Sequence, residues 1–263
     1  MYRKSTRVLL ADRLRIYRFQ TLKEIKADLH AEIEWLSPLS LKHLKNYQIW
    51  HHRQNVINAL GSWENEASFI EAMMEKDAKN YHVWCYRQWA VKRFNLWDDP
   101  AELEYVEKLL TADIRNNSAW SYRWYIVFGR PKGDPFANKE VVQREISFAQ
   151  DAIQKTPQNE SPWNYLRALY TKASGPAALP SSELASYARK FSNVDGEVRS
   201  SHALDVLAWV RGRETDGQEE AVKALDLLAD KYDPIRGNYW RYRKAMVSSG
   251  QEAAPESAPV AAG

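Results

Sequence analysis

The sequence of 263 residues has little cysteine and no long apolar run. Its one cysteine, Cys85, cannot form an internal disulfide, and one thiol does not make a zinc site. A reducing compartment fits this composition, so we expect a cytoplasmic protein. No apolar run approaches the ~20 residues of a membrane span. The apolar stretch at 8–11 is too short for the core of a signal peptide.

The sequence also has little net charge but many aromatic residues. The 37 basic and 34 acidic residues leave a net charge of +3, which is too balanced to imply nucleic-acid binding by electrostatics alone. A local basic patch beside an anionic ligand stays open. The chain has 11 Trp and 14 Tyr. Because aromatic side chains dominate core and interface energetics, we expect it to cover a partner as well as its own core.

The pattern Asn-x3-Trp-x2-Arg recurs along the chain. Its tryptophans are 34, 36 and 43 residues apart, and a period in the mid-thirties fits a hairpin of two helices. In the fourth copy the arginine comes one place late, at Arg167, and a degenerate copy occupies 238–243. The copies contain Asn46, Trp50 and Arg53; Asn80, Trp84 and Arg87; Asn116, Trp120 and Arg123; and Asn159 and Trp163.

The segments between the motifs have apolar residues at i, i+3, i+4 spacing. They predict helices over 28–36, 64–76, 101–111 and 140–153. Polar, glycine- and proline-containing stretches predict loops over 129–135, 174–182 and 211–218. Together these features predict an all-α superhelical solenoid of α-α hairpin repeats, whose concave face holds a partner.

Each motif residue has a predicted structural role. The asparagine begins a helix and caps its free N–H groups. The tryptophan lies one turn later, on the face that meets the partner helix. We expect the arginine to hydrogen-bond a carbonyl or carboxylate of the neighbouring hairpin. We therefore interpret these residues as packing residues of the repeat and not as catalytic residues.

Several blocks also resemble a known family. They read KNYQIWHHR at 45–53, DAKNYHVW at 77–84, DIRNNSAW at 113–120 and NESPWNYL at 159–166. These blocks resemble the α subunit shared by protein farnesyltransferase and geranylgeranyltransferase type I, over roughly residues 26–245. The Rab-type α subunit shares the repeat, but the first two blocks are more similar to the farnesyl and type I geranylgeranyl enzyme.

The resemblance implies a crescent of helical hairpins wrapped around an α-α barrel β subunit. The β subunit of such enzymes carries the zinc and most of the isoprenoid pocket, and magnesium accompanies the diphosphate. The expected activity is transfer of a farnesyl or geranylgeranyl group from its diphosphate to the cysteine of a C-terminal Cys-aliphatic-aliphatic-X motif. The expected partners are the β subunit, the isoprenoid diphosphate and the substrate proteins.

The resemblance also assigns five site residues. Lys45 matches the lysine that reaches the diphosphate, and it is the candidate catalytic residue. Tyr47 lies in the same block, at the diphosphate end, and Gln48 matches a glutamine that contacts the terminal carboxylate of the peptide. Tyr81 and His82 match positions that face the isoprenoid and the diphosphate. Taken alone, Lys45 would be a solvated lysine beside a helix N-terminus, and the other four residues could pack against a partner.

Three other features have structural interpretations. His51 and His52 diverge by ~100° on a helix and have no nearby third ligand, so we expect packing or hydrogen bonding and no metal. Cys85 lies inside a packed motif and is predicted to be an inert buried thiol. The pair 98–99 before a proline predicts a helix N-cap region.

The predicted organisation has three regions. Residues 1–25 do not match the family, which has a longer N-terminus and one further hairpin, so we interpret them as a divergent or truncated segment. The repeat solenoid covers 26–247, and the composition of 248–263 predicts a disordered tail. Two other functions stay open. One is a non-catalytic helical-repeat scaffold, and the other is a Rab-type α subunit, against which the Gln48 block argues.

Overall fold

A computed structural model describes residues 17–250, in which all regular structure is helical apart from one isolated antiparallel bridge between Ser192 and Val198. The predicted all-α helical-hairpin repeat is therefore confirmed. The chain divides into two compact units, Met1–Glu107 and Lys108–Gly263. The predictions for residues 1–16 and 251–263, which include most of the N-terminal segment and of the tail, lie outside the described residues.

The first unit consists of successive helical hairpins, preceded by a helical stretch at 17–24. Leu36 of the first hairpin is buried against Ile49 and Val56. The predicted helices at 64–76 and 101–111 are confirmed to within two residues. The helices are α1 (Leu29–Lys42), α2 (Tyr47–Leu60), α3 (Glu66–Lys76), α4 (Tyr81–Phe94) and α5 (Pro100–Ala112), which contains the division between the units.

Helix α1 is longer than its predicted range of 28–36, because it continues through Pro38 to Lys42. A proline inside a helix removes one backbone hydrogen bond. Packing outweighs that cost here, since Leu36 and Ser40 on either side of the proline are both buried. Burial of these side chains therefore determines where this helix ends, and the tendency of proline to end a helix does not.

The second unit continues the hairpin pattern. The predicted helix at 140–153 is confirmed, and the predicted loops contain short 3-10 turns at Pro135–Ala137 and Gly175–Ala177. The predicted turn at 211–218 separates two helices. The helices are α6 (Asn117–Phe128), α7 (Lys139–Lys155), α8 (Glu160–Lys172), α9 (Ser181–Arg189), α10 (Ser201–Arg211), α11 (Gln218–Leu227) and α12 (Gly237–Ser248).

The motif asparagines and tryptophans have the predicted roles. Asn46, Asn80, Asn116 and Asn159 are the N-caps of α2, α4, α6 and α8, and each accepts a backbone N–H from the first turn of its helix. All four tryptophans are buried. Each indole Nε1 also donates to the carbonyl six residues earlier: Trp50 to Leu44 (3.0 Å), Trp84 to Ala78 (3.1 Å), Trp120 to Ile114 (2.8 Å) and Trp163 to Pro157 (2.9 Å).

The motif arginines pair with carboxylates of the next hairpin, as predicted. Each guanidinium makes two hydrogen bonds to one glutamate and lies over the aromatic ring three residues after it. Bidentate pairs of this kind fix geometry as well as charge. The sets are Arg53 with Glu66 and Phe69, Arg87 with Glu102 and Tyr105, and Arg123 with Glu145 and Phe148.

The same arrangement occurs in the segment that we interpreted as divergent. Arg18 Nε and Nη2 donate to the two carboxylate oxygens of Glu32 at 2.8 and 2.6 Å. The guanidinium lies 4.4 Å from the ring centre of Trp35, three residues after the glutamate. Arg18 therefore makes the contacts of a motif arginine, although positions 11 and 15, where the pattern would place asparagine and tryptophan, are alanine and arginine.

A further hairpin without the motif lies in the second unit. Helices α9 and α10 pack together, and Ser200 is the N-cap of α10, where its Oγ accepts Ala203 N at 3.2 Å. Ser200 therefore replaces the motif asparagine. By contrast, Asn238 of the degenerate copy at 238–243 lies inside α12 and does not cap it. Trp240 of that copy is buried and donates to Asp233.

Candidate functional site

The five predicted site residues lie at the starts of two helices in the first unit. Lys45 immediately precedes the α2 cap, and Tyr47 and Gln48 are in the first turn. Tyr81 and His82 are in the first turn of α4. Lys45 is exposed, and the side chains of Tyr47 and Tyr81 are 52% and 59% exposed. About half of the surface of each tyrosine is therefore open to solvent.

One backbone carbonyl connects the two helix starts. Leu44 O accepts Trp50 Nε1 from α2 at 3.0 Å and Asn80 Nδ2 from the α4 cap at 3.4 Å. Leu44 precedes Lys45, and Asn80 precedes Tyr81. The structure therefore brings together the two blocks of site residues, which are 36 residues apart in the sequence.

The surface around Lys45 is a shallow basic depression of about 600 Å³. The α2 dipole adds positive potential at its N-terminus, and Lys45 has no carboxylate partner among residues 17–250. The backbone N–H groups of Gln48 and Ile49, however, donate to Asn46. Positive side chains and the helix dipole, and not those two N–H groups, make this surface suitable for an anion. It is lined by Lys42, His43, Leu44, Lys45, Asn46, Tyr47 and Gln48.

The start of α4 contributes an aromatic edge. The rings of Tyr81 and His82 meet edge-on, with centroids 5.7 Å apart. A hydrogen bond between the Tyr81 and Cys85 side chains raises the pKa of the Tyr81 hydroxyl. The prediction that Cys85 is buried is wrong, because its side chain is half-buried. It lies one turn after Tyr81, on the side of α4 that this tyrosine occupies, and not on the side of the buried Trp84.

His52 has a structural role, as its position predicted. Its Nε2 is 2.8 Å from Glu32 Oε1, and both side chains are buried. Burial raises the pKa of Glu32, but hydrogen bonds from Arg18 and His52 outweigh burial, so the net pKa is below its ordinary value. Residues 17–250 contain no group of three or more His, Cys, Asp or Glu side chains that could hold a metal ion. Asp99 accepts Ala101 N at the start of α5, which confirms the predicted cap.

Sequence and structure comparisons agree with this architecture. The family described as the protein prenyltransferase alpha subunit repeat matches residues 29–60, 63–94, 99–129 and 142–173. A protein farnesyltransferase/geranylgeranyltransferase type-1 subunit alpha from Candida albicans is 37% identical over 243 residues, covering 89% of this chain and 77% of the relative. The chain belongs to this α-subunit family. A relative of the same name from Solanum lycopersicum is 33% identical over 121 residues.

A solved structure of this α-subunit family supports the same assignment. It is described as Candida albicans protein geranylgeranyltransferase-I complexed with GGPP, and it matches with a TM-score of 0.81 and 34% identity. The match covers 89% of this chain and 78% of that chain. No helix among the described residues is long and apolar enough to cross a membrane.

Sequence reasoning missed part of the site. Lys42 and His43 line the depression, although only their closeness to Lys45 in the sequence could have indicated it. The bond from Asn80 to Leu44 was also missed. The Asn80 side chain could have indicated this bond. Its Oδ1 accepts the helix N–H groups, and its amide nitrogen is a separate donor that needs a partner when it is buried.

Proposed function

We propose that this chain is the α subunit of a heterodimeric protein prenyltransferase, active only with a β subunit. The enzyme transfers a farnesyl or geranylgeranyl group to the cysteine of a C-terminal Cys-aliphatic-aliphatic-X motif. In this reaction the cysteine sulfur forms a bond to C1 of the isoprenoid while the C1–O bond breaks, and diphosphate leaves with the electron pair. The thiol proton is lost. We also propose a cytoplasmic location, because a reducing compartment suits a chain with one free thiol.

The position of Lys45 is the observation that carries this proposal. Negative charge grows on the leaving diphosphate as the C1–O bond breaks, and a fixed cation there lowers the barrier. Lys45 is exposed in a basic depression and has no competing carboxylate among the described residues. Tyr47 lies beside it at the diphosphate end of the proposed site.

The other site residues fit the remaining parts of the substrates. Gln48 is half-buried in the first turn of α2, where its amide suits the terminal carboxylate of the peptide. Tyr81 and His82 present aromatic surface to the isoprenoid and its diphosphate. Zinc on the β subunit and magnesium with the diphosphate belong to the proposal. The proposal assigns neither metal to residues 17–250 of this chain, among which no group of three or more His, Cys, Asp or Glu side chains could hold a metal ion.

Lys45→Ala tests the proposed function. The chain is co-expressed with a β subunit, and transfer of labelled farnesyl and geranylgeranyl from their diphosphates to a Cys-aliphatic-aliphatic-X peptide is measured. We expect transfer only by the pair, and a fall in kcat of about 100-fold for Lys45→Ala, because one fixed cation at the leaving group is lost.

Lys92→Ala is the matched control. Lys92 is exposed and lies in the last turn of α4, at the opposite end from Tyr81, so its loss should leave kcat unchanged. Full transfer activity of the β subunit alone, or an unchanged kcat for Lys45→Ala, would contradict the proposal. Assembly of the pair without transfer of either isoprenoid would favour the scaffold function.

A further inference from the structure

We infer that Asn80 is a positioning residue, which sets the distance between Lys45 and the pair Tyr81 and His82. The inference rests on the proposed function, because only that proposal assigns Lys45, Tyr81 and His82 to the same reaction. Asn80 is 3% exposed, so it acts through its neighbours and does not touch substrate.

The two ends of the Asn80 side chain serve two different helices. Its Oδ1 accepts His82 N at 3.0 Å and Val83 N at 3.4 Å, which fixes the first turn of α4. Its Nδ2 donates to Leu44 O at 3.4 Å, and Asp77 Oδ2 lies 3.5 Å from the same nitrogen. Since Lys45 follows Leu44 directly, one amide group connects the backbone on both sides of the site.

The Leu44 carbonyl is also held from its own helix. Trp50 Nε1 donates to it at 3.0 Å, and the Trp50 ring packs against Tyr86 of α4 with centroids 5.4 Å apart. If α4 shifts, the Leu44 carbonyl therefore cannot move with it without also straining its hydrogen bond to Trp50. Loss of the Asn80 bond should open the gap between Lys45 and Tyr81, and displacements of about 1 Å cost up to 100-fold in rate.

The second unit contains the same arrangement of a capping asparagine and a shared carbonyl, but without the site residues. Asn159 Oδ1 accepts Ser161 N at 3.3 Å, and its Nδ2 donates to Ile114 O at 2.8 Å. Trp120 Nε1 donates to the same carbonyl at 2.8 Å. An equal substitution at Asn159 therefore removes the same kind of bond and serves as the matched control.

The chain also shows which substitution should preserve the connection. Ser200 caps α10 by accepting Ala203 N, and its hydroxyl donates to Pro157 O at 2.6 Å. Pro157 O also accepts Trp163 Nε1, as Leu44 O accepts Trp50 Nε1. A serine thus performs both functions at an equivalent position, so Asn80→Ser is the conservative variant.

The experiment compares Asn80→Asp, Asn80→Ser and Asn159→Asp in the co-expressed αβ complex, measuring kcat, KM and melting temperature. Aspartate keeps an acceptor for the cap but has no N–H for the carbonyl. We expect Asn80→Asp to lower kcat on the order of tenfold. Asn159→Asp should leave kcat unchanged, and Asn80→Ser should retain most of kcat. Asn80→Asp should lower the melting temperature more than Asn159→Asp, because it places a second carboxylate beside Asp77.

A double variant separates positioning from general damage. If Asn80 acts through Lys45, Asn80→Asp should lower kcat little further in the Lys45→Ala background. Equal kcat losses for Asn80→Asp and Asn159→Asp, or full additivity with Lys45→Ala, would overturn the inference alone. An unchanged kcat for Lys45→Ala would instead overturn the proposed function, and the inference with it.

Discussion

The buried arginine–glutamate pairs connect successive hairpins through single side chains. Arg123 and Glu145 are 1% and 0% exposed, and their two hydrogen bonds measure 2.6 and 2.9 Å. Tyr165 donates to the same carboxylate at 2.6 Å. Burial raises the pKa of Glu145, but the hydrogen bonds and charge of Arg123 outweigh burial, so the net pKa is below its ordinary value. The carboxylate therefore stays ionised inside the protein.

Arg123→Ala should be among the most destabilising single changes in the second unit. It removes the buried cation of Glu145 and leaves only the half-exposed Arg144 beside that carboxylate, and breaking a buried pair costs about 3–5 kcal/mol. It also removes the guanidinium that lies 3.5 Å from the Phe148 ring centre. The free energy of unfolding from urea titration measures this loss.

Arg144→Ala is the matched control for that prediction. Arg144 Nε donates to the same glutamate at 2.9 Å, but its side chain is 50% exposed. Exposed pairs contribute about 0–1 kcal/mol, so its loss should cost little. If both substitutions lowered the free energy of unfolding equally, burial of the pair would not be the reason for its importance.

At the scale of helices and hairpins, Ser200 shows that the repeat persists without its motif. The residue four places later is Leu204 and not tryptophan, and the residue three places after that is Leu207 and not arginine. Both leucines are fully buried. The hairpin of α9 and α10 therefore keeps the cap and the bond to Pro157 but replaces the polar core with an apolar one.

Ser200→Ala should destabilise this hairpin by about 1–2 kcal/mol, because it removes the N-cap of α10 and leaves Pro157 O with one donor fewer. Ser200→Asn restores the motif residue and should cost less. Urea titration measures both. Ser147→Ala, on the exposed surface of α7, is the control. A loss for Ser200→Ala no larger than that control would show that Ser200 does not hold the hairpin.

The motif hairpins were predictable because their signals are local. A capping asparagine and a tryptophan one turn later specify a helix start, and the structure confirms all four. In the first three copies an arginine on the same face completes the motif. Pro38 and Ser200 could not be interpreted this way. Burial of Leu36 and Ser40 keeps α1 intact past the proline, and the role of Ser200 depends on Pro157, 43 residues earlier.

The candidate site was predictable in its residues but not in its assembly. The resemblance supplied Lys45, Gln48 and Tyr81, and the structure places all of them at helix starts. Periodicity could not show that Asn80 bonds to Leu44, because that contact joins different hairpins. The roles of the site residues stay predictions, which the Lys45 and Asn80 variants test.

At the scale of the whole chain, each compact unit contains a buried glutamate with a lowered pKa. Glu32 in the first unit bonds to Arg18 and His52, and Glu145 in the second bonds to Arg123 and Tyr165. The ordinary pKa of both carboxyls is 4.5. A group whose pKa is lower in the folded state than in the unfolded state stabilises the fold only while it is ionised.

Both units should therefore lose stability in acid. Their glutamates contribute fully above the unfolded-state pKa, and this contribution falls as the pH drops through the lower folded-state pKa. Urea midpoints measured from neutral pH to about pH 3.5 should fall steeply below the ordinary pKa of glutamate. Glu145→Gln should be less stable at neutral pH but lose less on acidification, whereas Glu140→Gln, exposed on the same helix, should behave like the natural chain. Parallel pH profiles for Glu145→Gln and the natural chain would show that Glu145 does not determine the acid sensitivity of the second unit.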